Sequence, residues 1–162
     1  MSNFTSQTLE QTREFAADWL NSISKPREEA TVVGLSGHLG AGKTAFVKVV
    51  ANLLGIKEEI TSPTFVIMKM YETKFNIKDK ISNIQSASAQ YQWKRLIHID
   101  AYRLERYEEL EVLNWEQLVA DPGNIFMVEW PENACIDTNK NPELIRLGFE
   151  IKDGKYNITG EN

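Results

Sequence analysis

The sequence predicts an α/β layered domain with a mainly parallel sheet, and three observations predict it. Short apolar, β-branched runs recur at Thr31–Leu35, Phe65–Tyr71, Leu96–Asp100 and Ile125–Glu129. Segments of helical spacing or composition precede or separate them, at Thr8–Ile23, Thr44–Leu54 and Glu105–Val119. The apolar runs show little polar alternation, as expected of strands covered on both faces. Strands alternating with helices build a parallel sheet flanked by helices.

The first helix is predicted to begin near Thr8, where Gln11 completes a capping box. Phe15, Ala16, Trp19, Leu20 and Ile23 then fall on one helical face. Lys25–Glu29, with Pro26, breaks the chain before the Thr31–Leu35 strand. Gly55 caps the Thr44–Leu54 helix. Glu72–Gln92 is polar and nearly aperiodic, and reads as a surface excursion. The Pro122-Gly123 pair stops the third helix. Leu144–Ile151 and Tyr156–Thr159 flank Asp153-Gly154, which predicts a closing antiparallel hairpin. The 162 residues fit one domain spanning 1–162, with the excursion at 72–92.

Composition removes several function classes. With 18 basic against 23 acidic residues the net charge is −5, which argues against gripping RNA without a partner. Cys135 is the only cysteine, so no internal disulfide forms, and a small buried apolar role is expected of it. His38 and His98 are too few to complete a zinc site. No apolar run reaches the ~20 residues that span a bilayer, and Met1–Leu20 lacks the pattern of a signal peptide. A cytoplasmic location is expected.

Gly37-His38-Leu39-Gly40-Ala41-Gly42-Lys43-Thr44 satisfies G-x-x-x-x-G-K-[ST] at every fixed position. Gly37, Gly40 and Gly42 let the backbone curl, so that N–H groups from this loop through Ala41 and Ala45 converge on phosphate oxygens. Lys43 brings charge to the β- and γ-phosphates, Thr44 offers a hydroxyl to Mg²⁺, and the helix start adds its dipole. A strand before the motif and a helix after it are the required context. A nucleoside triphosphate, ATP with Mg²⁺, is the expected ligand. Such sites also need a carboxylate at the end of a neighbouring strand. Asp100 and Glu129 both qualify, and spacing does not separate their roles. His98 should share a face with Asp100, partly buried and hydrogen-bonded.

GHLGAGKT at 37–44, Ser62-Pro63-Thr64, His98-Ile99-Asp100-Ala101-Tyr102-Arg103 and Val128-Glu129-Trp130-Pro131 together resemble the bacterial TsaE family. The resemblance covers about residues 8 to 135. That family supplies the ATPase of tRNA threonylcarbamoyladenosine biosynthesis and has a P-loop NTPase-like fold. The resemblance implies that Thr44 and Glu129 flank Mg²⁺, Lys43 binds the phosphates, and Thr64 lies on a switch-like segment near them. It makes Asp100 the residue that positions or deprotonates the attacking water, with Tyr102 and Arg103 nearby. Trp130 either packs over the nucleotide or, with Pro131, seals the sheet edge. Thr8–Thr12 resembles the stretch near the adenine. His38 replaces the family's usual acid, and the 72–92 segment is longer than usual.

The implied function is a slow ATPase that works with TsaB and TsaD homologues, tRNA being reached only through them. A small-molecule kinase is the alternative, although the excursion offers Lys74, Lys78 and Lys80 but no arginine as a lid. A GTPase is disfavoured because Asn139-Lys140-Asn141-Pro142 puts proline where guanine recognition needs aspartate. A nucleotide-binding regulator without turnover would carry the same phosphate and metal groups.

Overall fold

A computed structural model describes residues 3–73, 93–136 and 144–161. Its strands are β1 (Asn3–Ser6), β2 (Thr31–Gly37), β3 (Met68–Glu72), β4 (Arg95–Asp100), β5 (Asn124–Glu129), β6 (Ile145–Lys152) and β7 (Lys155–Glu161). Its helices are α1 (Leu9–Ile23), α2 (Lys43–Leu53), α3 (Glu108–Glu111) and α4 (Trp115–Val119). One sheet takes the strands in the order β1-β7-β6-β2-β5-β4-β3. The central pairs β6–β2, β2–β5 and β5–β4 are parallel, and the outer pairs are antiparallel. This is the predicted layered architecture, hairpin included, and it is a P-loop NTPase-like fold.

Side chains alternate across the sheet. Val33, Leu35, Leu96, Ile125 and Met127 bury against α1 and α2, with Phe46 and Leu20 among them. Val32, Ile97, Ile99, Phe126 and Val128 bury on the opposite face with Leu110 and Trp115. Such burial is the dominant stabilising term, about 1.5–3 kcal/mol for each large apolar side chain.

Several elements differ from the sequence expectation, each for a local reason. Thr8 caps α1 by accepting from the Gln11 N–H at 3.2 Å, but the Gln11 side chain reaches the Gln7 N–H rather than that of Thr8. The Phe65–Tyr71 strand starts only at Met68, because Val66 and Ile67 donate back to the Pro63 carbonyl in a turn. The Glu105–Val119 helix divides in two at Asn114, whose φ of 57° is left-handed, a conformation asparagine tolerates. Cys135 is exposed, not buried. It has φ 51° in the turn closed by the Ile136 N–H on the Pro131 carbonyl, and Ala134 and Ile136 take the inward positions around it. Asp153 and Gly154 have φ 51° and 71°, as a two-residue hairpin requires. Most of the 72–92 excursion and all of Asn139–Pro142 lie outside the described residues. Among the described residues no helix is long and apolar enough to cross a membrane.

Asp121 ties the turn before β5. Its carboxylate accepts from the Gly123 N–H at 2.8 Å and from Arg95 at 2.5 Å. The Gly123 N–H first, and the Arg95 guanidinium after it, hold the carboxyl below the usual aspartate range of 3.8. A depressed folded-state pKa gives stability that is present above the unfolded value and lost as pH falls through the folded one. Asp121→Ala should therefore cost about 1 kcal/mol near neutral pH, the half-exposed ion pair adding little. Urea titrations of the two proteins should converge as pH falls below that range.

Candidate nucleotide site

The loop between β2 and α2 has the backbone its glycines were expected to allow. Gly37, Gly40 and Gly42 have φ of 139°, 78° and 101°. A Cβ at Gly37 would stand 2.2 Å from the Phe149 carbonyl oxygen, so no side chain fits there. Gly42 caps α2 without a side chain, leaving the first N–H groups of the helix for an anion. Lys43 is 4% exposed, and its Nζ donates to the carbonyls of Gly37 (2.7 Å) and His38 (3.0 Å). Burial lowers its pKa, against the opposing fields of Glu129, Glu132 and Asp100. Its ammonium lies 3.9 Å from the centre of the Trp130 ring.

Asp100 and Glu129 are register partners at the ends of β4 and β5, and Leu35 of β2 pairs with Glu129 from the other side. Parallel pairing brings all three strand ends to the phosphate loop. Thr44 Oγ1 donates to Glu129 Oε1 at 2.7 Å, and His98 Nε2 meets the same oxygen at 2.9 Å. Asp100 has different partners. Its Oδ2 accepts from Ser62 at 3.0 Å and from the Thr64 hydroxyl, and its Oδ1 from the Tyr102 N–H at 3.1 Å. His98 is wholly buried, more deeply than its sequence position implied.

A cleft of about 420 Å³ collects these groups. Gly40, Ala41, Gly42, Lys43, Thr44 and Ala45 form one wall, and Thr64, Asp100, Glu129 and Trp130 face them. Gly37 lies beneath, as the acceptor for Lys43. Neither residue seals a sheet edge, because β2 and β5 are central strands. The Trp130 ring borders the cleft, edge-on to Tyr102 at 5.3 Å, while Pro131 packs over Gly34.

Sequence reasoning passed over two features. Ser62, quoted only as part of a motif, is a direct partner of Asp100. A second cleft, of about 230 Å³, opens on the other side of Ala41, Gly42 and Ala45. Gln7, Thr8 and Thr12 border it from the N-terminal segment, and Phe149, Tyr156 and Ile158 from the hairpin. No local signal marks Tyr156, which reaches the loop only because β7 returns beside β6.

A hydroxyl and a carboxylate in contact at the start of α2 suit a hard cation that takes its other oxygens from phosphate and water. The donors present therefore fit Mg²⁺, with Thr44 and Glu129 as the groups that would hold it.

Residues 6–157 match the family model described as threonylcarbamoyl adenosine biosynthesis protein TsaE. The tRNA threonylcarbamoyladenosine biosynthesis protein TsaE of Treponema pallidum is 33% identical over 143 residues, covering 88% of this chain and 90% of its own. The protein of that name from Rickettsia bellii is 28% identical, with 99% of both chains covered. The one from Aquifex aeolicus is 36% identical over 133 residues, 81% of this chain and 76% of its own. In fold, the chain resembles the crystal structure of Bacillus subtilus YdiB, with a TM-score of 0.60 and 24% identity. That match covers 98% of this chain and 83% of the other.

Proposed function

This chain belongs to the TsaE family of threonylcarbamoyl adenosine biosynthesis proteins, and from that membership we propose a slow Mg²⁺-dependent ATPase acting with TsaB and TsaD homologues in tRNA modification. The observation that carries the reading is the single cleft in which Lys43, Thr44 and Glu129 face Asp100 across the phosphate loop. Phosphoryl transfer needs positioning and charge more than base strength, and this arrangement offers both.

In this reading the α2 N-terminus and loop N–H groups seat the β-phosphate, and Lys43 moves from its loop carbonyls to the β- and γ-oxygens. Bound Mg²⁺ would neutralise the triphosphate charge as a Lewis acid. Thr44 and Glu129 hold the metal side. Asp100, fixed by Ser62, Thr64 and the Tyr102 N–H, orients the attacking water. Trp130 and Tyr102 cover that end of the cleft. The base of the nucleotide takes the second cleft, between Thr8–Thr12 and Tyr156. Dependence on a protein partner is supported by the segment carrying Thr64, because Phe65 beside it is 86% exposed and offers a handle on Asp100's partners.

Phosphate release from Mg-ATP, measured alone and with a TsaB–TsaD pair, tests the proposal. Strong stimulation by the pair is the expected result. No stimulation, together with phosphate transfer to a small metabolite, would replace the proposal with a kinase.

Asp100→Ala should lower turnover by about a hundredfold or more while nucleotide affinity changes little. Single-turnover kinetics and equilibrium binding of a fluorescent nucleotide separate the two. An equal loss in both would make Asp100 a binding group.

A further inference from the structure

On the face of β4 that carries Leu96 and Asp100, His98 stands between Met127 of β5 and Lys69 of β3. His98 is 0% exposed, and Leu96, Ile97 and Ile99 around it are equally buried. A packing residue in that slot would be apolar, since a buried ring nitrogen needs a partner to offset its desolvation. One nitrogen has such a partner. Nε2 lies 2.9 Å from Glu129 Oε1, a carboxylate that is itself only 4% exposed. Nδ1 has no hydrogen-bond partner among the described residues. A proton on Nδ1 would leave a buried N–H unpaired, which proteins rarely tolerate, whereas a lone pair there is less costly. The proton therefore belongs on Nε2, which donates to Glu129.

This donor and the Thr44 hydroxyl converge on the same oxygen. Thr44 stands on α2 and His98 on β4, so Oε1 is pinned between helix and sheet. Among the described residues no hydrogen bond falls on Oε2, and Glu129 borders the phosphate cleft. With Oε1 fixed, the carboxylate plane has one orientation, and Oε2 is the oxygen left for the metal side.

We infer that His98 is a positioning residue, which holds Glu129 by a donated Nε2–H bond so that one chosen carboxylate oxygen serves the nucleotide-bound cation. The inference rests on the assignment of Thr44 and Glu129 to the metal side. Groups behind a metal ligand commonly change affinity or activity about 10–100-fold when removed, and an effect at the lower end is expected because Thr44 remains.

The test compares wild type, His98→Leu and His98→Gln, the Gln amide nitrogen standing near the place of Nε2. Electron paramagnetic resonance with Mn²⁺ in the presence of ADP measures cation affinity without turnover, and a fluorescent nucleotide in chelator measures metal-free binding. Loss of about tenfold or more in Mn²⁺ affinity in the Leu variant is expected, with metal-free nucleotide affinity kept and cation affinity largely restored in the Gln variant. Should His98→Leu not fold, His98→Met makes the same comparison with an unbranched chain. Unchanged Mn²⁺ affinity, or equal losses in metal-free binding, would overturn the inference and leave His98 a packing residue. If wild type itself showed no nucleotide-dependent Mn²⁺ binding, the metal-side assignment would fail first, and that outcome is separately visible.

Discussion

Lys43→Ala is expected to lower ATP turnover about a thousandfold and to weaken nucleotide binding severely. A single preorganised donor at a transition-state oxygen is worth about 10²–10³ in rate, and Lys43 adds a full charge in a buried setting. In the structure its ammonium is held by two loop carbonyls and the Trp130 ring, contacts it would exchange for phosphate oxygens in the proposed complex. The substitution should leave the protein folded. Burial disfavours the charged form of Lys43, so removing that charge relieves a desolvation penalty while forfeiting two hydrogen bonds. A melting temperature near that of wild type, with loss of binding by calorimetry, is the expected pair of results. Retained turnover would contradict the phosphate-loop assignment.

Glu129→Ala should have a comparable effect on activity through the cation. The Mg²⁺ concentration for half-maximal turnover should rise more than about tenfold, and maximal turnover should fall about a hundredfold. Unlike the lysine change, this one should also destabilise the fold. It leaves the buried His98 N–H without its acceptor, at about 1–3 kcal/mol, whereas the half-buried Thr44 hydroxyl can turn to water in the cleft. Glu129→Gln retains an acceptor oxygen and should recover most of the stability but not the metal response. An unaltered Mg²⁺ titration in the Ala variant would shift the metal role to Asp100.

What the sequence made legible were features whose physics is local. The phosphate loop needs glycines at fixed offsets, a lysine and a hydroxyl, and it was readable residue by residue. Apolar runs ending in an acid marked β4 and β5, and Asp153-Gly154 marked the hairpin. The elements that escaped depend on partners distant in the chain. Asn3–Ser6 is four residues with no periodicity, a strand only because Tyr156–Thr159 lies beside it. Phe65 and Val66 have strand composition, but Pro63 draws them into a turn. The break at Asn114 gives no signal beyond one residue that accepts positive φ. For the same reason spacing did not separate the roles proposed for Asp100 and Glu129. The two acids are equivalent in spacing, and in the structure their partners distinguish them, Ser62, Thr64 and the Tyr102 N–H against Thr44 and His98.

The central place of β2 has a consequence for how the chain acquires its structure on the ribosome. β2 and the loop it carries emerge early, yet both neighbours of that strand, β5 and β6, are translated far later. Until Ile145 has left the exit tunnel, β2 lacks one lateral partner, and Gly37 has no Phe149 beside it. Contacts so distant in sequence form slowly, because chain entropy must be overcome before they are rewarded. The nascent chain therefore exposes an apolar strand edge until β5 and β6 have been made, a period in which chaperone engagement competes with aggregation. The proposed nucleotide seat, which takes Glu129 from β5 and the Gly37–Phe149 contact from β6, is therefore complete only once both flanking strands have paired.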